Sequence, residues 1–248
     1  MARTGRFAVE TSLVTLNAIV SFILRKALTL DKSVNYTNSM AKSLLLDIDG
    51  VIIRDRLLLQ HVKHNCVEYV RNKLPECKDP VLLNKHLYLA HGHTARGLNL
   101  MFNTDVSDFN QKVYDKRMID HLSEVIYGTE FQQEAKEIYE FTRRGWDVTL
   151  FTNSPIEWAG PIALAISDKV SVKCPGPDVS KSYLKPEVGM YNFPRDQEHI
   201  FVDDSMKNLG TVRNFKNWKP VYFYNEIQES QLWCPQIGSI WELGLMID

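Results

Sequence analysis

Three short apolar runs in this chain end in charge or in hydroxyls. "SLLLDIDG" (43–50) closes on Asp47 and Asp49, "VTLFTNS" (148–154) on Thr152, Asn153 and Ser154, and "HIFVDDS" (199–205) on Asp203 and Asp204. Buried strands finish in acids only where the acids have a use. In a parallel sheet the carboxyl ends of the strands open on one edge, which is where such sheets bind ligands. A further strand is expected at "KPVYFYNE" (219–226). Between the strands lie helical patterns. In "TEFQQEAKEIYEFTRRG" (129–145), Phe131, Ala135, Ile138 and Tyr139 fall on one face, with Thr129 as the expected N-cap and Gly145 as the stop. Helices alternating with short β-branched and aromatic strands predict an α/β fold, a parallel sheet with helices on both faces.

From Leu57 to about Gly128 the pattern is helical throughout, which is too long for one crossover. An inserted helical cap over 57–128 is therefore expected, interrupting a core of 41–56 and 129–248. Residues 1–40 differ from the rest: Arg3, Arg6, Arg25, Lys26 and Lys32 stand against only Glu10 and Asp31. Three readings fit this extension: an organellar presequence, a short helical extension, or a stretch upstream of a start at Met40. Its apolar run "LVTLNAIVSFIL" is too short and polar for a membrane span, so no membrane partner is expected. A formal charge of −1 gives no field to recruit a nucleic acid polymer. Cys66, Cys77, Cys174 and Cys234 are scattered, as free thiols in a reducing compartment would be, and a cytoplasmic location is expected unless residues 1–40 redirect the chain.

Four carboxylates meeting at one sheet edge would repel one another unless a cation sat among them. Carboxylates, a carbonyl and water are what Mg²⁺ prefers. "YLKPEVGMYNF" adds Lys185, which would complete an anion site at the same edge.

In this order and spacing, "DIDGV", "LFTNS", "LKPE" and "FVDDS" resemble the four motifs of the haloacid dehalogenase (HAD) superfamily, over residues 43 to about 225. The resemblance implies a Rossmannoid sheet and phosphoryl chemistry. Asp47 matches the nucleophile and Asp49 the general acid/base. Thr152 and Lys185 match the groups that hold the phosphoryl, and Asp203 and Asp204 match the metal-binding acids, with the main-chain carbonyl of Asp49 as a further ligand. Asn153 would offer its amide to the phosphate. The second acid, Asp49, favours phosphate transfer over carbon–halogen cleavage. Within the insertion, "YLAHGHTARGLNLMF" (88–102) is similar to a cap segment of pyrimidine 5′-nucleotidase-like members, although "DIDGV" departs from their usual "DxDNTLY". That likeness implies a small phosphorylated metabolite as substrate, a nucleoside 5′-monophosphate, with Arg96 on its phosphate or sugar and His91 or His93 at its base. A sugar phosphatase on the same site and a catalytically lapsed binding protein are the alternatives. His61 and His64, three residues apart, read as a solvated helix face rather than a metal pair.

Overall fold

The computed structural model describes residues 41–224 and 233–247, so the basic extension 1–40 lies outside the described residues. At the centre is β1 (Lys42–Leu46), whose Leu44, Leu45 and Leu46 are fully buried. It is flanked by β2 (Asp147–Phe151) and β4 (Glu198–Asp203); β3 (Ser171–Lys173) lies outside β2, and β5 (Trp218–Phe223) and β6 (Gln236–Ile237) outside β4. Every neighbouring pair is parallel, and the order is β3-β2-β1-β4-β5-β6. The chain builds outward from β1 on one side and then returns to build on the other. The strand order thus reverses at the carboxyl end of β1, beside β4.

Both faces of the sheet are covered, which explains why β1 reads as an unbroken apolar run rather than an alternating one. Leu44 and Leu46 join a core with α5 (Lys116–Tyr127), α6 (Thr129–Arg143), α7 (Ile156–Ile166) and α9 (Ile240–Ile247). Leu45 faces the other way, into a cluster with Phe151, Tyr191, Phe201 and Leu209, the last from α8 (Met206–Val212). The sixth strand and α9 come from a tail that by sequence reads only as packing on the core.

The α6 segment begins where expected but is capped differently. Gly128 closes α5 and serves as N-cap of α6 with no side-chain bond, so Thr129 is the first helical residue. Phe131, Ala135 and Ile138 are buried, but Tyr139 is exposed; Phe141 and Thr142 complete the buried face. Gly145 follows at φ +84°, a left-handed turn that suits glycine.

Residues 56–127 form α1 (Arg56–Lys73), α2 (Pro80–His91), α3 (Thr94–Phe102), α4 (Val106–Val113) and then α5. Aspartates cap four of the five: Asp55, Asp79, Asp105 and Asp115 each accept a backbone N–H from the first turn. The insertion holds a core of its own around Tyr69, Leu87, Leu98 and Phe109, and this core also takes in Val179 and Leu184 from the segment before Lys185. Its two ends behave otherwise: Leu58, Met118, Leu122 and Ile126 belong to the core under the sheet. Among the described residues no helix is long and apolar enough to cross a membrane.

Candidate active site

Register brings the acids together. Leu46 pairs with Val202, and the Asp47 N–H donates to the Val202 carbonyl (2.9 Å), so Asp47 and Asp203 leave adjacent strands side by side. Lys185 Nζ lies between their carboxylates, 2.9 Å from Asp47 Oδ1 and 2.7 Å from Asp203 Oδ2. The lysine is 2% exposed and Asp203 is sealed, so these charges meet with little water to screen them. Asp203 is held further by the Ser205 N–H (2.8 Å) and by the Asn208 amide, which donates to both of its oxygens (3.0 and 3.1 Å). Asn208 and the Ser205 N–H thus orient this acid together.

Asp47, Asp203 and Asp204 each bring an oxygen within 4.8 Å of the others. Gly50 makes room for the third: its φ is +92°, and a Cβ there would collide with the Asp204 carboxylate. Four acids crowd this edge against one lysine. Burial first, with Asp203 and Asp204 adding to it against the pull of Lys185, pushes the Asp47 carboxyl well above its usual range. Burial and then Asp203 push Asp204 up to about 7. For Lys185 burial acts downward, but Asp203 and Asp47 outweigh it and hold the ammonium above its ordinary value. A cluster of hard oxygen donors with surplus negative charge fits a divalent cation such as Mg²⁺.

Asp49 stands apart from that trio. Its Oδ2 accepts from the Ser154 hydroxyl (2.6 Å) and its Oδ1 from the Trp158 indole N–H (3.0 Å), so its carboxylate is aimed at α7 rather than at the other acids. As a metal ligand, Asp49 is therefore left only with its main-chain carbonyl. Burial holds its pKa above the usual carboxylate range, and the two donors offset only part of that rise.

The "FTNS" turn does two things. Thr152, sealed, accepts the Ser154 N–H at its hydroxyl (3.0 Å). The Asn153 side chain donates to the Lys185 carbonyl (2.9 Å) and accepts the Lys185 N–H (2.8 Å), fixing the lysine's backbone from both sides. The Asn153 side chain thus clamps the lysine loop.

A cavity of about 570 Å³ opens over this edge, walled by Asp47, Asp49, Thr152, Lys185 and Asp204 below and by α1 and α2 on the insertion side. The predicted cap residues divide. His93 lines it, and its Nδ1 also accepts the Ala95 N–H (3.1 Å) as N-cap of α3; burial pushes its imidazole down to about 4. Arg96 does not line it. Its Nη1 donates to Glu187 Oε1 (2.8 Å), while Glu187 Oε2 accepts the Leu184 N–H (3.0 Å), so this arginine fastens α3 to the lysine loop. His91 is also outside the lining; its ring packs against Gly97, where a Cβ would come within 2.9 Å.

Sequence reading passed over Trp158, Tyr88, Lys63 and Lys85, all cavity-lining. Trp158 was hidden because a tryptophan in an apolar helix reads as core. The α2 residues carry a visible signal: positions 81, 85, 88 and 92, spaced four, three and four, form one helical face.

No protein-family profile and no curated protein matches the chain. Among solved structures it is similar to the HAD phosphatase from Thermococcus onnurineus, with 15% identity over 83% of this chain and 97% of that one and a TM-score of 0.50. It is also similar to the L-2-haloacid dehalogenase RSc1362 (10% identity, 84% and 99% covered, TM-score 0.45). A HAD hydrolase, family IA, variant 3, from Entamoeba histolytica matches with 12% identity, 81% and 94% covered, and a TM-score of 0.40. At 15% identity the likeness is one of fold, and the fold is the one that the four sequence motifs imply, that of the haloacid dehalogenase superfamily.

Proposed function

We propose that this protein is a Mg²⁺-dependent phosphohydrolase that acts on small phosphomonoesters through an aspartyl-phosphate. The observation that carries the reading is Lys185, buried and bridging Asp47 and Asp203 within 3 Å, with Asp204 beside them at the floor of the cavity.

A carboxylate attacks a phosphate poorly because both are anionic. Lys185 Nζ lowers that repulsion at Asp47 and is positioned to balance negative charge as it spreads over the transferring group. Asp47 would be phosphorylated as the P–O bond to the leaving group breaks. Asp49 would give that leaving oxygen its proton and then take one from the water that hydrolyses the aspartyl-phosphate. Trp158 N–H is a donor only, so it fixes Asp49 Oδ1 as an acceptor. The mobile proton therefore belongs on Oδ2, where the Ser154 hydroxyl can turn to receive its hydrogen bond. Mg²⁺, held by Asp47, Asp204 and Asp203, would supply the remaining positive charge for the phosphoryl oxygens. The Thr152 hydroxyl and the Asn153 backbone, which line the same cavity, would orient the phosphoryl group.

The cavity suits a compact ester under the helical insertion, and an enclosed floor keeps stray water from the intermediate. Nucleoside 5′-monophosphates and sugar phosphates both fall in this class; Tyr88 and His93 offer rings that a nucleobase could meet. Turnover of p-nitrophenyl phosphate with Mg²⁺, its loss on adding EDTA, and its loss in Asp47→Asn with an unchanged circular dichroism spectrum are the expected results. Asp47→Asn turning over at the wild-type rate would remove the nucleophile and with it the reading; no turnover by wild type would leave a binding protein.

A further inference from the structure

The cavity wall contributed by the insertion has a charge pattern that phosphoryl chemistry leaves unused. Beyond the residues at the sheet edge, the charged side chains lining the cavity are Lys63 of α1 and Lys85 of α2. Among the described residues neither makes a hydrogen bond or an ion pair. Other cations of α1 are paired: Lys73 at its end with Asp108 (2.7 Å), and Arg71 with Glu68. No acid occurs anywhere in α2. Two cations without an ion-pair partner in the lining of one cavity attract an anion there.

The position of Lys85 along the cavity is set by α2. Its C-terminal Gly92 abuts the lysine loop, where a Cβ would lie 3.4 Å from the Lys185 carbonyl. At a rise of about 1.5 Å per residue, Lys85 lies roughly 10 Å back along the axis, on the same face as Tyr88 and Val81. Helical side chains lean towards the N-terminus, so a group held by Lys85 lies on the order of 10 Å along the cavity from the lysine loop. Between the two ends the wall is apolar, with Leu59, Val62 and Leu89.

We propose that the substrate carries a second anionic group, a carboxylate or a further phosphate, which Lys63 and Lys85 hold at the end of the cavity away from Asp47. This rests on the phosphohydrolase reading and narrows it: esters with one anionic end use half of the site.

The test compares kcat/KM of the Mg²⁺-loaded full chain on two sets of esters. Adenosine 3′,5′-bisphosphate and fructose 1,6-bisphosphate carry a second phosphate, and 3-phosphoglycerate a carboxylate; AMP, glucose 6-phosphate and p-nitrophenyl phosphate carry neither. The expected result is a preference of about tenfold or more for one doubly anionic arm, and which arm wins names the second group. In the double variant Lys63→Gln/Lys85→Gln, kcat/KM for the preferred substrate should fall about thirtyfold further than for p-nitrophenyl phosphate, chiefly through KM. Equal wild-type values on the two sets, or equal losses in the variant, overturn the proposal. Should no ester turn over, the hydrolase reading fails separately. Calorimetric titration of wild type and double variant with adenosine 3′,5′-bisphosphate, fructose 1,6-bisphosphate and 3-phosphoglycerate then decides the second site: tighter binding of at least one of them by wild type sustains it, and equal binding of all three ends it.

Discussion

Trp158 illustrates how one side chain serves two ends. Its ring is fully buried in the core beneath the sheet, 5.6 Å from the Tyr114 ring, while its N–H reaches Asp49. Trp158→Phe keeps the ring but removes a donor from a buried carboxylate. Such bonds to charged groups are worth about 1.5–3 kcal/mol. With Asp49 as the acid/base, turnover of p-nitrophenyl phosphate should fall about tenfold or more while the melting temperature moves by only a few degrees. An unchanged rate would remove the indole from the mechanism. Gly50 works through what it lacks, since a side chain there would occupy the place of the Asp204 carboxylate.

At the scale of elements, α3 depends on a histidine at its start. The neutral His93 Nδ1 accepts the Ala95 N–H, and protonation at that nitrogen would break the cap. The imidazole stands near 4 in the fold against 6.5 when unperturbed. Between those values the unfolded chain binds the extra proton, so acid favours unfolding. The contribution is complete above pH 6.5 and is lost as pH falls towards 4. Urea unfolding at pH 7 and pH 5 should show wild type losing about 1–2 kcal/mol more than His93→Asn, whose amide can still cap. Equal losses would mean that the ring titrates without coupling to folding. The aspartate caps of α1, α2, α4 and α5 are residues of a type that favours the position; His93 is not, because histidine rarely announces a cap.

At the scale of the whole molecule, the insertion and the acidic sheet edge are joined at the lysine loop. Val179 and Leu184 sit in the insertion's core, Arg96 grips Glu187, and Asn153 clamps Lys185 from the sheet side. Lys185 is thereby set from two directions at once. Arg96→Ala should lower kcat on every phosphomonoester by a similar factor, about threefold to tenfold, because it loosens the loop rather than the substrate. A loss confined to one substrate would return Arg96 to a role in recognition.

The chain's one-dimensional order was enough for the parallel sheet, the acids at its edge and the helical insertion. Strand periodicity and residue type express themselves locally, and each strand tip carries its own chemistry. Burial of Leu44–Leu46 and the adjacency of Asp47 and Asp203 follow from those runs once they pair in register. What the tertiary structure alone decided is which polar groups face one another across long stretches of chain. Arg96 turns to Glu187 rather than to the cavity, Trp158 meets Asp49 from 109 residues away, and Lys63 and Lys85 line one cavity. Side-chain direction in an inserted domain depends on how its helices dock, and docking is set by apolar contacts spread over the entire insertion, which no short motif encodes.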